Sequence, residues 1–248
     1  NMWFGIRTIT EILLDAMYPR RCPVCGEIVM PAGHLICPGC VGKLSWISGP
    51  VCKKCGKPVN TRETEYCPDC LRRPGAFEYG IALCCYDDVT RASMAKIKYQ
   101  GRREYLDFYG AAMAARLGKK ILNMQPDVLV PVPVHPARRR RRGFNQAEIL
   151  AQRLSERLEE VSGIRIPVEP AWLLRTKKTL PQKELSPGER RKNLEQAFAP
   201  GAIPKDARSV VLIDDIYTTG STVQACTKVL KNAGIQKVYT AVICIGSQ

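Results

Sequence analysis

The chain has 248 residues, 45% hydrophobic and 25% charged, enough for one full domain and a small satellite, which excludes a peptide-sized scaffold and a disordered tail. Thirty-eight Lys and Arg against 23 Asp and Glu leave a formal net charge of +15, which favours phosphate-rich partners over a neutral metabolite. Twelve cysteines would suit a secreted disulfide framework, but no secretory leader pattern opens the chain and eight thiols fall in CxxC pairs, so a reducing, cytoplasmic setting is expected.

The first expected element, over residues 1–20, is an amphipathic helix between Trp3 and Pro19. Ile6, Ile9, Leu13 and Met17 recur at helical spacing, while Arg7, Glu11 and Asp15 interrupt the apolar run. The stretch is shorter than the roughly 20 apolar residues of a bilayer crossing, so no membrane span is expected.

Residues 21–75 are a duplicated unit. Cys22, Cys25, Cys37 and Cys40 return thirty residues later as Cys52, Cys55, Cys67 and Cys70 with the same gaps. Two CxxC turns complete the four-thiolate tetrahedron that zinc accepts, so two structural zinc ions are expected. Disulfides and thioredoxin-type redox pairs are the rivals, and no βαβ context supports the latter. Sequential pairing of the knuckles follows the repeat, whereas a cross-braced arrangement would join first with third. Each site carries a formal charge of −2, and Arg20, Arg21, Lys53, Lys54, Lys57, Arg72 and Arg73 stand close in sequence to offset it. Gly26 and Gly56 follow the knuckles where a tight turn favours positive φ. His34 is expected in solvent, and Cys84, Cys85, Cys226 and Cys244 in the core.

From residue 76 to 248 strand-like runs alternate with helical patterns, the signature of an α/β fold with a parallel sheet flanked by helices. Strands are expected at 80–86, 127–134, 210–213 and Val238–Ile245, and helices near 89–99, 103–120, 144–161 and from Val223. The segment VVLIDDIYTTGST, residues 210–222, is the most informative. A buried strand carries Asp214 and Asp215 to the carboxyl edge of the sheet. Thr218, Thr219, Gly220, Ser221 and Thr222 then lead into a helix whose positive end faces the same place. A phosphorylated sugar satisfies both halves, and ordinary αβ punctuation is the bland alternative.

Arg138, Arg139, Arg140, Arg141 and Arg142 form an unbroken basic run, read either as contacts to pyrophosphate or a nucleic-acid backbone or as a solvated charged turn. Aromatic platforms would favour nucleic acid. Tyr99, Tyr105 and Phe144 are the candidates, with Lys96, Lys98, Arg102 and Arg103 near them, although Phe144 is expected to pack inward.

These motifs together resemble the ComF family, also called ComFC or GntX-like, which joins amino-terminal zinc knuckles to a type I phosphoribosyltransferase fold. The resemblance rests on PRRCPVCG at 19–26, IKYQGRREY at 97–105, VPVPVHP at 130–136, RRRRRGFNQAEILA at 138–151, RTKKTLPQKELSPGERRKNLEQAF at 175–198, and the 210–222 segment. It implies that Asp214 and Asp215 hold the ribose hydroxyls of phosphoribosyl pyrophosphate (PRPP) and that the 218–222 loop grips its 5′-phosphate. It further implies that Arg138 and Arg142 reach the pyrophosphate, that magnesium bridges ligand oxygens, and that a hood over 171–198 covers the site. The hood segment 175–193 carries seven Lys and Arg against two Glu, suited to a polyphosphate.

Purine-salvage relatives of this motif place a carboxylate where the chain has Thr218, which argues against purine transfer. The expected role is therefore that of a ComF-type protein of DNA uptake and natural transformation, binding PRPP and handling cytosolic single-stranded DNA, with a helicase-like competence protein as a partner. A phosphoribosyltransferase of nucleotide metabolism with an unnamed acceptor, and a zinc-ribbon adaptor for protein partners, are the alternatives. Whether the chain turns PRPP over stays open.

Overall fold

The two cysteine repeats fold alike. In each, the first cysteine accepts from the glycine four residues on and donates to the next residue's carbonyl. Gly26 N bonds Cys22 O and Cys22 N bonds Glu27 O; Gly56 N bonds Cys52 O and Cys52 N bonds Lys57 O. Both glycines take positive φ, 82° and 79°, as the tight turn requires. Short helices α1 (Pro38–Val41) and α2 (Pro68–Arg72) begin with proline and carry Cys40 and Cys70 inward. The computed structural model describes residues 19–176 and 196–246. The helix expected before Pro19 and the hood segment 177–195 lie outside the described residues.

Beyond the ribbons, β1 (Gly80–Cys85), α3 (Asp88–Gln100), α4 (Tyr105–Asn123), β2 (Val128–Pro131), α5 (Pro136–Arg142) and α6 (Gln146–Ser162) follow in order. A short antiparallel pair, β3 (Leu173–Arg175) and β4 (Phe198–Pro200), brackets residues 177–195. The chain continues with β5 (Ser209–Tyr217), α7 (Ser221–Asn232) and β6 (Lys237–Ile245). The main sheet has the order β1-β6-β5-β2, every pair parallel. Its central strands are mainly apolar, as expected where both faces are covered.

Strand alternation divides the interior. Val211 and Ile213 of β5 pack with Tyr109, Leu150 and Leu154 of α4 and α6, together with Cys22 and Cys40 of the first repeat. Val210 and Leu212 pack on the other face with Val223, Cys226 and Leu230 of α7, together with all four cysteines of the second repeat. The segment joining the repeats covers the β1 edge: Ile47 N donates to Leu83 O and Cys85 N to Ser45 O. The edge strand is thus paired rather than left open.

Three expectations are corrected. The arginine run is helical, started by Pro136 with His135 Nδ1 accepting from Ala137 N and stopped by Gly143 in the left-handed region. The strand at 127–134 is only Val128–Pro131; Pro131 and Pro133 lack the amides that would face its outer edge, the side on which Leu129 N donates to Pro167 O. β5 does not end at the aspartates but runs on to Tyr217 against β6.

Candidate functional site

β2 stops opposite Ile213, so beyond that residue one edge of β5 faces a notch while the other stays paired to β6. Asp214 and Asp215 occupy this notch, at the carboxyl ends of parallel strands where open α/β sheets take ligands. Being adjacent in a strand, the two side chains point to opposite faces.

Asp215 turns inward and is 4% exposed. Gln146 Nε2 donates to its Oδ1 at 3.2 Å, and Lys98 from α3 forms an ion pair with its Oδ2. Burial works against the charge on Asp215, but the Lys98 ammonium outweighs it and holds the carboxyl below the usual carboxylate range. The same pairing raises Lys98 despite its burial. Oδ1 and Oδ2 of Asp215 are thus both engaged by side chains of other elements. Asp214 is half-buried, and its Oδ1 accepts from Asp215 N at 2.8 Å. Burial, reinforced by the neighbouring Asp215, pushes its carboxyl well above the ordinary range.

Arg142 completes this cluster. Its Nε donates to Lys98 O at 3.1 Å and its Nη1 to Gln146 Oε1, which fastens the end of α5 to α3 and α6. Asn145 caps α6 through Ala147 N and donates from Nδ2 to Val132 O at 3.1 Å, fixing the loop after β2. The sequence put Lys98 only among basic residues near Tyr99 and did not single out Gln146; neither was expected to meet Asp215.

The 218–222 loop closes the notch on the α7 side. Thr218 and Thr219 are exposed, Gly220 has φ 72°, and Thr219 Oγ1 lies 2.9 Å from Ser221 Oγ. Gly220 supplies no side-chain cap to α7, so the first amides of a twelve-residue helix meet the notch with their positive end. Glycine is required twice here: its φ is left-handed, and a Cβ would stand 2.2 Å from Tyr217 Oη.

The remaining arginines separate. Arg139 pairs with Glu148 at 3.2 Å, while Arg138, Arg140 and Arg141 are exposed. Of the aromatic candidates, Tyr105 is 1% exposed and Phe144 lies in the core beneath Arg103, whereas Tyr99 is 72% exposed. A cavity of 340 Å³ lies away from the aspartates, at the β1 edge among Ile47, Val51, Leu83, Arg116 and Lys120.

The cysteines gather as the repeat requires. Cys22, Cys25, Cys37 and Cys40 form one group and Cys52, Cys55, Cys67 and Cys70 another, their sulfurs within 4.8 Å of one another. Cys55 and Cys67 sulfurs stand 3.7 Å apart, near the edge of about 3.8 Å of a zinc–thiolate tetrahedron. Although burial opposes it, backbone amides pull the Cys22 and Cys52 thiols down to about 7, favouring metal-binding thiolates. Both groups fit structural zinc, and the pairing is sequential. Lys57, buried beside the second group, reaches Asp69 at 2.9 Å.

Fold and site define a phosphoribosyltransferase-type α/β domain carrying a double zinc ribbon. The double zinc ribbon domain family matches residues 13–71, and the phosphoribosyl transferase domain family matches residues 107–248. The chain is 30% identical over 225 residues to Competence protein F of Haemophilus influenzae, covering 88% of this chain and 93% of that protein. It is 26% identical over 239 residues to Competence protein ComFC of Bacillus subtilis (93% and 92%), and 28% identical over 230 residues to DNA utilization protein YhgH of Escherichia coli (91% and 97%). The chain belongs to the ComF family of competence-related proteins with a phosphoribosyltransferase domain. No helix among the described residues is long and apolar enough to cross a membrane.

Proposed function

We propose that the chain binds magnesium PRPP at the notch and, in the cytoplasm, handles single-stranded DNA during DNA uptake. The observation that carries the ligand reading is the half-buried Asp214 at the carboxyl end of β5, set beside the start of α7, to which Gly220 gives no side-chain cap. Ribose hydroxyls supply donors for Asp215 and Asp214, and the 5′-phosphate accepts from the amides and hydroxyls of Thr218–Thr222. Lys98, Arg138 and Arg142 stand where the pyrophosphate charge collects, and magnesium is held by ligand oxygens and water. Thr218 offers no carboxylate to a purine, so purine transfer is not part of this reading.

Asp214 is the variant to use, because Asp215→Asn would also strand a buried Lys98. Asp214→Asn should weaken PRPP binding by up to about tenfold by titration calorimetry, the loss of a hydrogen bond from a ribose hydroxyl. Zinc content and melting temperature should stay close to those of the parent. Unchanged affinity would remove the site.

The DNA part rests on the bond from Arg142 to Lys98 O, which sets α5 beside the exposed Tyr99. The exposed Arg138, Arg140 and Arg141 then offer phosphate contacts around α5, near one stacking ring. The names of the relatives, competence and DNA utilization proteins, agree with this reading. The exposed Ile28, Met30 and Leu71 on the ribbons favour a second role there, docking a protein such as a helicase-like partner.

A further inference from the structure

The second cysteine cluster and the 218–222 loop are joined by one unbroken set of contacts. Lys54 sits in the knuckle between Cys52 and Cys55. Its carbonyl accepts from Gly80 N at 2.7 Å, its ammonium donates to Glu78 O at 3.1 Å, and the same ammonium lies 5.3 Å from the centre of the Phe77 ring. Phe77, 1% exposed, meets Tyr217 edge to face with ring centres 6.4 Å apart. Tyr217 lies against Gly220, where a Cβ would be 2.2 Å from its hydroxyl. In the first turn of α7, Gln224 Oε1 accepts from Ala76 N at 2.7 Å.

Knuckle, segment 76–80, Tyr217 and the start of α7 thus share one packed interior with all four cysteines of the second cluster. The first cluster packs elsewhere, with Tyr105, Leu106 and Phe108, in an interior that includes none of residues 217–224.

We infer that the second cluster is the mount of the phosphate loop, with Tyr217 as the positioning residue through which metal at Cys52, Cys55, Cys67 and Cys70 sets the loop's affinity for a phosphorylated sugar. A knuckle this short has little apolar interior of its own, and four metal–sulfur bonds hold its shape. Losing them frees Lys54 and Phe77, and the Tyr217 ring no longer has a wall. Gly220 and the amides behind it then cease to converge on one point. The first cluster steadies the other face of the sheet and has no such hold. The inference rests on the PRPP reading for its ligand, but the loop's rigidity is measurable without one.

The test uses the full-length, zinc-loaded chain, with zinc content, magnesium PRPP affinity, and amide hydrogen exchange at residues 218–223. Tyr217→Leu should keep both zinc ions, weaken PRPP about tenfold and speed loop exchange, as expected when a binding loop is displaced by a fraction of an ångström. Cys67→Ser with Cys70→Ser should lose one zinc ion and reproduce both effects. Cys37→Ser with Cys40→Ser should lose the other ion and leave PRPP affinity within about twofold, the scatter of independent sites.

Parental affinity and loop exchange in the Cys67/Cys70 variant would overturn the inference, and so would equal weakening from either cluster. If that variant does not fold, Tyr217→Leu and Phe77→Leu decide, since unchanged loop exchange in both overturns it. If the parent itself binds no PRPP, the ligand reading fails while the exchange comparison between the two cysteine variants still decides the coupling.

Discussion

Asp215 and Lys98 are the residues whose chemistry is most tightly bound to the fold. The depressed Asp215 contributes stability that is complete above the ordinary carboxylate value, about 4, and is lost as pH falls through its lowered pKa. The raised Lys98 contributes stability that is complete below the ordinary lysine value, about 10.4, and is lost as pH rises through its raised pKa. Between those limits the pair is whole. Lys98→Met leaves Asp215 buried and unpaired, so at pH 7 it should cost about 3–5 kcal/mol, read from urea midpoints. That cost should shrink toward zero as the pH falls through the Asp215 pKa. A cost independent of pH would mean that Lys98 acts by packing alone. At this scale the cysteines were legible, because a four-thiolate site demands one residue type at particular spacings. The pairing of Lys98 with Asp215 was not, because the two stand 117 positions apart and only the fold brings them together.

At the scale of elements, the arginine run shows how local signals settle structure without settling role. Pro136 and Gly143 bound a seven-residue helix, and both are standard start and stop residues. Which arginines face solvent depended on contacts from other elements: Arg142 is drawn to Lys98 O and Gln146, and Arg139 to Glu148. Arg138, Arg140 and Arg141 are therefore the three to replace. Changing all three to Ala should reduce the magnitude of the salt slope for single-stranded DNA by about 2, at roughly 0.7 per phosphate contact. Tyr99→Ala should weaken binding by about 1–3 kcal/mol while leaving the slope unchanged. Anisotropy titrations at several salt concentrations measure both, and an unaltered slope in the triple variant would take DNA away from this face.

At the scale of the whole molecule, the ribbons are part of the sheet's construction. The segment between the clusters pairs with β1 at Ile47 and Ser45, and each cluster joins one face of the interior. Metal analysis should return two zinc ions per chain. Chelation should do more than unfold residues 21–75: it should uncover the β1 edge and promote self-association, seen by light scattering. A chelated protein that stays monomeric with β1 amides still protected would show that the ribbons only decorate the sheet.

Local order was determined by the sequence alone. Repeated CxxC spacing specified two four-sulfur sites, and alternating apolar patterns specified a parallel α/β sheet, because such periods are set within a few residues by backbone geometry. The passage from strand through Asp214–Thr222 into a helix followed for the same reason. Tertiary structure decided what those pieces face. It gave Asp215 to Lys98, buried Tyr105 while exposing Tyr99, and set one zinc cluster on each face. Such choices depend on contacts between residues far apart in the chain, and no local pattern encodes the distance that folding removes.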